Sequence, residues 1–123
     1  MLAAGRGATK QTTDADFLEI TLTNRNDDTC TVHGYPVLTL RDGSGRAIGE
    51  RAEFRTNGAA RYLDLTPGES ATATVRFPKT GKCTAGTAQI EVLIPGATER
   101  EFIDESHPYC PGWSVTAIHH GSA

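Results

Sequence analysis

The sequence predicts an all-β domain, an antiparallel sandwich of seven to nine short strands. Three observations carry this. Apolar residues recur at every second position in several short runs, as in Leu18, Ile20 and Leu22 or Ala71, Ala73, Val75 and Phe77. Turn residues separate those runs at regular intervals. No stretch of ten residues carries a helical period.

Residues 1–13 are small, polar and glycine-rich, which predicts a flexible lead-in. Residues 14–118 read as a single domain and 119–123 as a tail. The first strand is expected from Asp16 to Asn24, where Glu19, Thr21 and Thr23 alternate with the apolar set. Asn24 to Asp28 is a turn cluster, because Asn and Asp side chains bond their own backbone. Cys30 to His33 resumes extended structure and Gly34-Tyr35-Pro36 turns a corner.

Val37 to Arg41 forms the next run, ended by Asp42-Gly43-Ser44-Gly45, a hairpin signal. Residues 49–61 are weakly patterned, with Phe54 their only large apolar side chain, and predict a short edge strand or loop. Tyr62 to Leu65 is extended, then Thr66-Pro67-Gly68-Glu69 fits a tight turn. The clearest strand follows, Ala71 to Phe77, then a loop holding Cys83. Ile90, Val92 and Ile94 mark another strand, stopped by Pro95-Gly96. A segment around Phe102 and a last strand from Trp113 to Ile118 close the domain.

With 123 residues the chain can bury roughly two-thirds of its unfolded surface, enough for one core. The formal net charge of -3, with acidic residues interleaved among the arginines of the middle third, argues against nucleic acid as a partner. No apolar run has the roughly 18–20 residues a membrane span needs. The first residues lack the charged start and apolar core of a signal peptide, so either the protein stays inside the cell or the sequence is a trimmed, mature-like piece, a choice on which the cysteines bear.

Several segments together resemble a known family. Cys30-Thr31-Val32-His33-Gly34-Tyr35-Pro36 follows Leu22-Thr23-Asn24; Leu65-Thr66-Pro67-Gly68-Glu69-Ser70-Ala71 comes next, then Cys83, then Cys110-Pro111-Gly112-Trp113-Ser114-Val115. From about residue 17 to 118 this resembles the actinobacterial domain of unknown function 4232. The resemblance implies an immunoglobulin-like sandwich, secreted or held at the cell envelope as a lipoprotein-like module. It brings no catalytic residue. Members commonly carry a further cysteine near the domain's start, which this chain lacks.

Three cysteines allow one intrachain disulfide and leave one thiol. The resemblance implies the pair Cys83–Cys110, since both match the family's two late cysteines. Cys30 is then the unpaired thiol. Structural disulfides point to an oxidising compartment, outside the cell or in its envelope.

Catalytic chemistry finds little support. Cys30 and His33 are three apart on a strand and so face opposite ways. No serine sits in a Gly-x-Ser-x-Gly elbow. The acid pairs Asp27-Asp28 and Asp104-Glu105 have the composition of a glycosidase pair, but adjacent loop acids are normally both solvated. The oxygen ligands Asn24, Asn26, Asp27 and Asp28 fit an Asx-type turn better than a calcium loop. A copper or zinc site would draw on His33, His107, His119, His120 and Cys110, the residue types of copper-binding sandwiches.

Tyr35, Tyr62 and Tyr109 are candidates for a binding rim, because tyrosine supplies contact area at low entropic cost. The functional expectation is therefore a non-enzymatic secreted or envelope-associated module without cofactor, whose partner is a protein or a cell-wall component. The alternatives are a metal-binding sandwich and a hydrolase with loop carboxylates.

Overall fold

The computed structural model describes residues 2–55, 62–96 and 99–120. Among them twelve strands form: β1 (Leu2–Gln11), β2 (Ala15–Asn24), β3 (Cys30–His33), β4 (Val37–Asp42), β5 (Ala47–Ile48), β6 (Glu53–Arg55), β7 (Tyr62–Leu65), β8 (Ser70–Pro78), β9 (Thr87–Leu93), β10 (Arg100–Asp104), β11 (Ser114–Thr116) and β12 (His119–His120). The all-β expectation holds. The count exceeds seven to nine because several strands are only two or three residues long.

One sheet runs β1-β2-β8-β11-β6, with β12 also on β8; a second runs β10-β9-β4-β5; β3 and β7 form a separate ribbon. The pairing is antiparallel except between β6 and β11. The two larger sheets bury facing sets of alternate residues. Leu18, Ile20 and Leu22 of β2 and Ala73, Val75 and Phe77 of β8 join Leu38, Leu40, Ile90, Val92 and Ile103 of the other sheet in one core. Val32, Leu63 and Leu65 attach the β3–β7 ribbon to it. Trp113 is buried and donates from Nε1 to Glu50 O at 2.9 Å, so its one polar atom is satisfied.

The flexible lead-in is corrected. Residues 2–11 form β1, registered on β2 from Leu2↔Asn24 to Gln11↔Asp16. A backbone ladder needs no apolar alternation, and β1 has none; only Leu2 and Ala4 pack against the core. The register shifts between Arg6 and Thr9, a β-bulge. Gly7 sits in it because a Cβ there would lie 3.0 Å from Thr21 Oγ1 and 3.1 Å from Glu19 O.

The expected tail also changes: His119 and His120 pair with Thr72 and Ala71 of β8, while residues 121–123 lie outside the described part. Of the weakly patterned 49–61 segment, 56–61 lie outside it too. The rest crosses between the sheets. Ile48 pairs with Leu40, Ala52 N donates to Leu38 O at 3.1 Å, and Glu53 N then donates to Trp113 O at 2.9 Å. Gly49 makes the crossing possible with φ of +69°, and the Tyr109 ring lies directly against it.

Candidate binding surface

The antiparallel register of β3 on β7 sets Val32 opposite Leu63, facing the core, and His33 opposite Tyr62, facing out. On that outer face the rings of His33 and Tyr62 stack with centroids 4.1 Å apart and planes 12° apart. Beside them Thr31 Oγ1 donates to Asp64 Oδ1 at 2.8 Å. Tyr62 is 75% exposed. Two residues beyond His33, Tyr35 stacks on Phe54 of β6 with centroids 4.6 Å apart. The Cα atoms of His33 and Tyr35 are at most roughly 7 Å apart. The corner between them is anchored where Ile118 N donates to Gly34 O at 2.8 Å.

Two of the three expected rim residues therefore belong here. Tyr109 does not: it packs against the core and Gly49, and its backbone bridges Thr84. Phe54 takes its place. Phe54 and Tyr62, with Phe102 on β10, are the large hydrophobic side chains exposed among the described residues.

The opposite end carries a second polar constellation. Asp16, His107 and Glu105 are among the residues that line a cleft of about 230 Å³, where β1 and β2 meet the segment after β10. His107 Nε2 donates to Asp16 Oδ2 at 2.8 Å, and its Nδ1 faces Glu105 Oε2 at 3.7 Å. The imidazole lies on Phe77, centroids 4.3 Å apart. Lys79 Nζ stands 3.2 Å from Asp16 Oδ1, and Arg6 bridges Glu105 at 3.5 Å. Burial pushes the Asp16 carboxyl up, but hydrogen bonding and charge from His107 and Lys79 outweigh it and hold it below the ordinary value. With a carboxylate at each ring nitrogen, His107 acts as a strut joining β2 to the segment after β10.

The remaining candidates disperse. Cys83 and Cys110 form a disulfide, so Cys110 is not a thiolate ligand. His33 stacks at one end and His107 is held at the other. His119 is in β12, and the side chain of His120 lies outside the described part. Among the described residues no group of three His, Cys, Asp or Glu converges on a metal position.

Cys30 is unpaired and half-buried. Its thiol donates to Asn24 Oδ1 at 3.3 Å, and Asn26 Nδ2 donates to its sulfur at 3.1 Å. Asn24 Oδ1 also accepts from Asn26 N at 2.8 Å, so the 24–28 stretch is the Asx-type turn expected. Asp42 plays the same part in its own turn. Its carboxyl accepts from the Ser44 hydroxyl and from the Ser44 and Arg46 amides, which holds it below the ordinary value.

The fold places this chain among all-β domains with sandwich-like packing. Within that class, the family model described as a domain of unknown function (DUF4232) matches residues 2–118, and the chain belongs to that family. The match takes in β1 as well as the cysteine-bearing segments. No curated protein and no solved structure matches the chain.

Proposed function

We infer that this chain is a non-enzymatic binding module of the cell envelope, and that it engages its partner through the outer face of the β3–β7 ribbon. The observation that carries the reading is the two aromatic stacks, His33–Tyr62 and Tyr35–Phe54, with 75% of Tyr62 and 53% of Phe54 open to solvent. Exposed rings held by partners lose little freedom on binding, so each contributes contact area at low entropic cost. The Cys83–Cys110 bridge fits an oxidising location outside the cytoplasm. The His107 ring is hydrogen-bonded to Asp16 and has Glu105 3.7 Å from its other nitrogen, which favours a structural over a catalytic role for it.

The test is co-sedimentation of the purified protein with isolated bacterial envelope. Wild type is expected to sediment with it, and a double Phe54→Ala, Tyr62→Ala variant to remain in solution. Equal sedimentation of both overturns the assignment of the surface.

A further inference from the structure

We propose that β10 is a self-pairing edge, through which two copies of this chain join their β10-β9-β4-β5 sheets into one, an inference independent of the binding reading above. Among the described residues β10 ends its sheet and pairs with β9 alone. Glu105 N donates to Ala88 O at 3.1 Å, which continues the register that sets Asp104 opposite Gln89 and fixes the parity of the ladder. Bonded and non-bonded pairs alternate along an antiparallel ladder. Glu101 and Ile103 therefore bond to β9, and the N–H and C=O groups of Arg100, Phe102 and Asp104 point to the open edge. The same three residues carry exposed side chains, and Phe102, 52% exposed, is a large hydrophobic group that the β3–β7 surface does not use.

The strand's own sequence selects a second copy as its partner. Arg100-Glu101-Phe102-Ile103-Asp104, laid antiparallel on itself about Phe102, sets Arg100 opposite Asp104 of the second copy, Asp104 opposite its Arg100, and ring beside ring. Centring the pairing on Glu101 opposes two glutamates, and centring it on Ile103 leaves both ion pairs unmade. Within one chain Arg100 Nη1 reaches Glu91 Oε1 only at 3.7 Å, and Asp104 Oδ1 accepts from Gln89 Nε2 at 3.5 Å, so both charges are open to closer partners. β1 touches β10 where Ala4 N donates to the Glu101 side chain at 3.2 Å, and it forms no ladder with it. The longer edge, β1, is unsuited to the same use: its bulge breaks the ladder, and its charged residues, Arg6 and Lys10, are both basic.

Sedimentation velocity over a dilution series, with NMR amide exchange at both ends of the series, tests this. A strand of five residues buries little area, so the expected dimer is weak and dissociates on dilution. At high concentration the amides of Arg100, Phe102 and Asp104 should exchange severalfold more slowly, while those of Glu101 and Ile103, already bonded to β9, stay unchanged. Arg100→Asp and Asp104→Arg should each weaken dimerisation severalfold by opposing like charges, and the two together should restore it. Thermal midpoints near wild type, expected because both side chains are exposed, confirm that the variants fold. A chain that stays monomeric throughout, a dimer whose protection lies on β1 or on the β3–β7 ribbon, or a folded double variant that does not recover dimerisation overturns the proposal. Where a variant fails to fold, the alternation of amide protection in wild type decides alone: its presence upholds the pairing and its absence overturns it.

Discussion

The ring of Tyr62 lies on that of His33, 4.1 Å between centroids, on the solvent side of a ribbon whose other side is core. The same two strands thus anchor themselves and present a surface. Val32, Leu63 and Leu65 point inward and hold the ribbon on the sandwich. The outward residues are exposed, and on the proposed reading substitutions there should change binding without changing the fold.

Asn24 is the polar pivot of this end. It is fully buried, and Nδ2 donates to Asp28 O at 2.9 Å and to Leu65 O at 2.7 Å, tying the β2–β3 turn to β7. Asn24→Ala strands the buried Leu65 carbonyl and frees the turn. Urea unfolding should show a loss of roughly 2–4 kcal/mol, the scale of two or more buried hydrogen bonds.

At the sheet-switching step, Gly49→Ala faces two penalties. A Cβ there would lie 2.4 Å from the Tyr109 ring, and φ is +69°. Backbone strain and overpacking together should destabilise by roughly 2–5 kcal/mol. In a Tyr109→Ala background the steric part disappears and the backbone part remains. A double-mutant cycle should therefore show the Gly49→Ala penalty shrinking by at least about 1 kcal/mol.

The Asp16 contacts predict a pH signature. The carboxyl is held below its ordinary value of 3.8 in the folded chain. Its contribution is therefore complete above that value and is lost as pH falls through the lowered folded value. Asp16→Asn should cost roughly 1–3 kcal/mol at neutral pH, the range for hydrogen bonds to a charged group. The gap to wild type should narrow below about pH 4. A gap that stays constant from pH 7 to pH 2 would contradict this assignment.

The disulfide closes a loop with a sequence separation of 27. Replacing Cys83 and Cys110 by serine should lower stability by roughly 3–4 kcal/mol on the chain-entropy account. Thermal unfolding with and without reductant reads the same quantity in wild type. Cys30 should be the one thiol that alkylates before reduction.

How much of this was legible in the sequence depends on where each signal resides. β2, β8 and β9 are half-buried strands, so burial wrote a period of two into Leu18–Leu22, Ala71–Phe77 and Ile90–Ile94. β1 is an edge strand whose stability comes from backbone bonds to β2, and its glycines conceal it; only its partner reveals it. Turn chemistry is local, so Asn24–Asp28, Asp42–Gly45 and Thr66–Glu69 were readable.

The surface was readable only in fragments. Tyr62 and Tyr35 stood out as aromatics near corners, and His33 as a metal candidate, but the register that stacks His33 on Tyr62 is non-local. The loops are divided between the two ends. Asn24–Thr29 lies by the start of β8, whereas Asp42–Gly45 and Glu105–Pro111 lie by the start of β9, at the end that carries His107. Nor did anything in the sequence bring Asp16 to His107, whose contact depends on how the chain after β10 crosses the end of β2.

The most direct measurement is a hydroxyl-radical footprint of the protein bound to isolated envelope against the free protein, read residue by residue by mass spectrometry. The account predicts protection of His33, Tyr35, Phe54 and Tyr62, with Phe102 oxidised as before. Protection centred on Phe102, on His107, or on none of these side chains would contradict it.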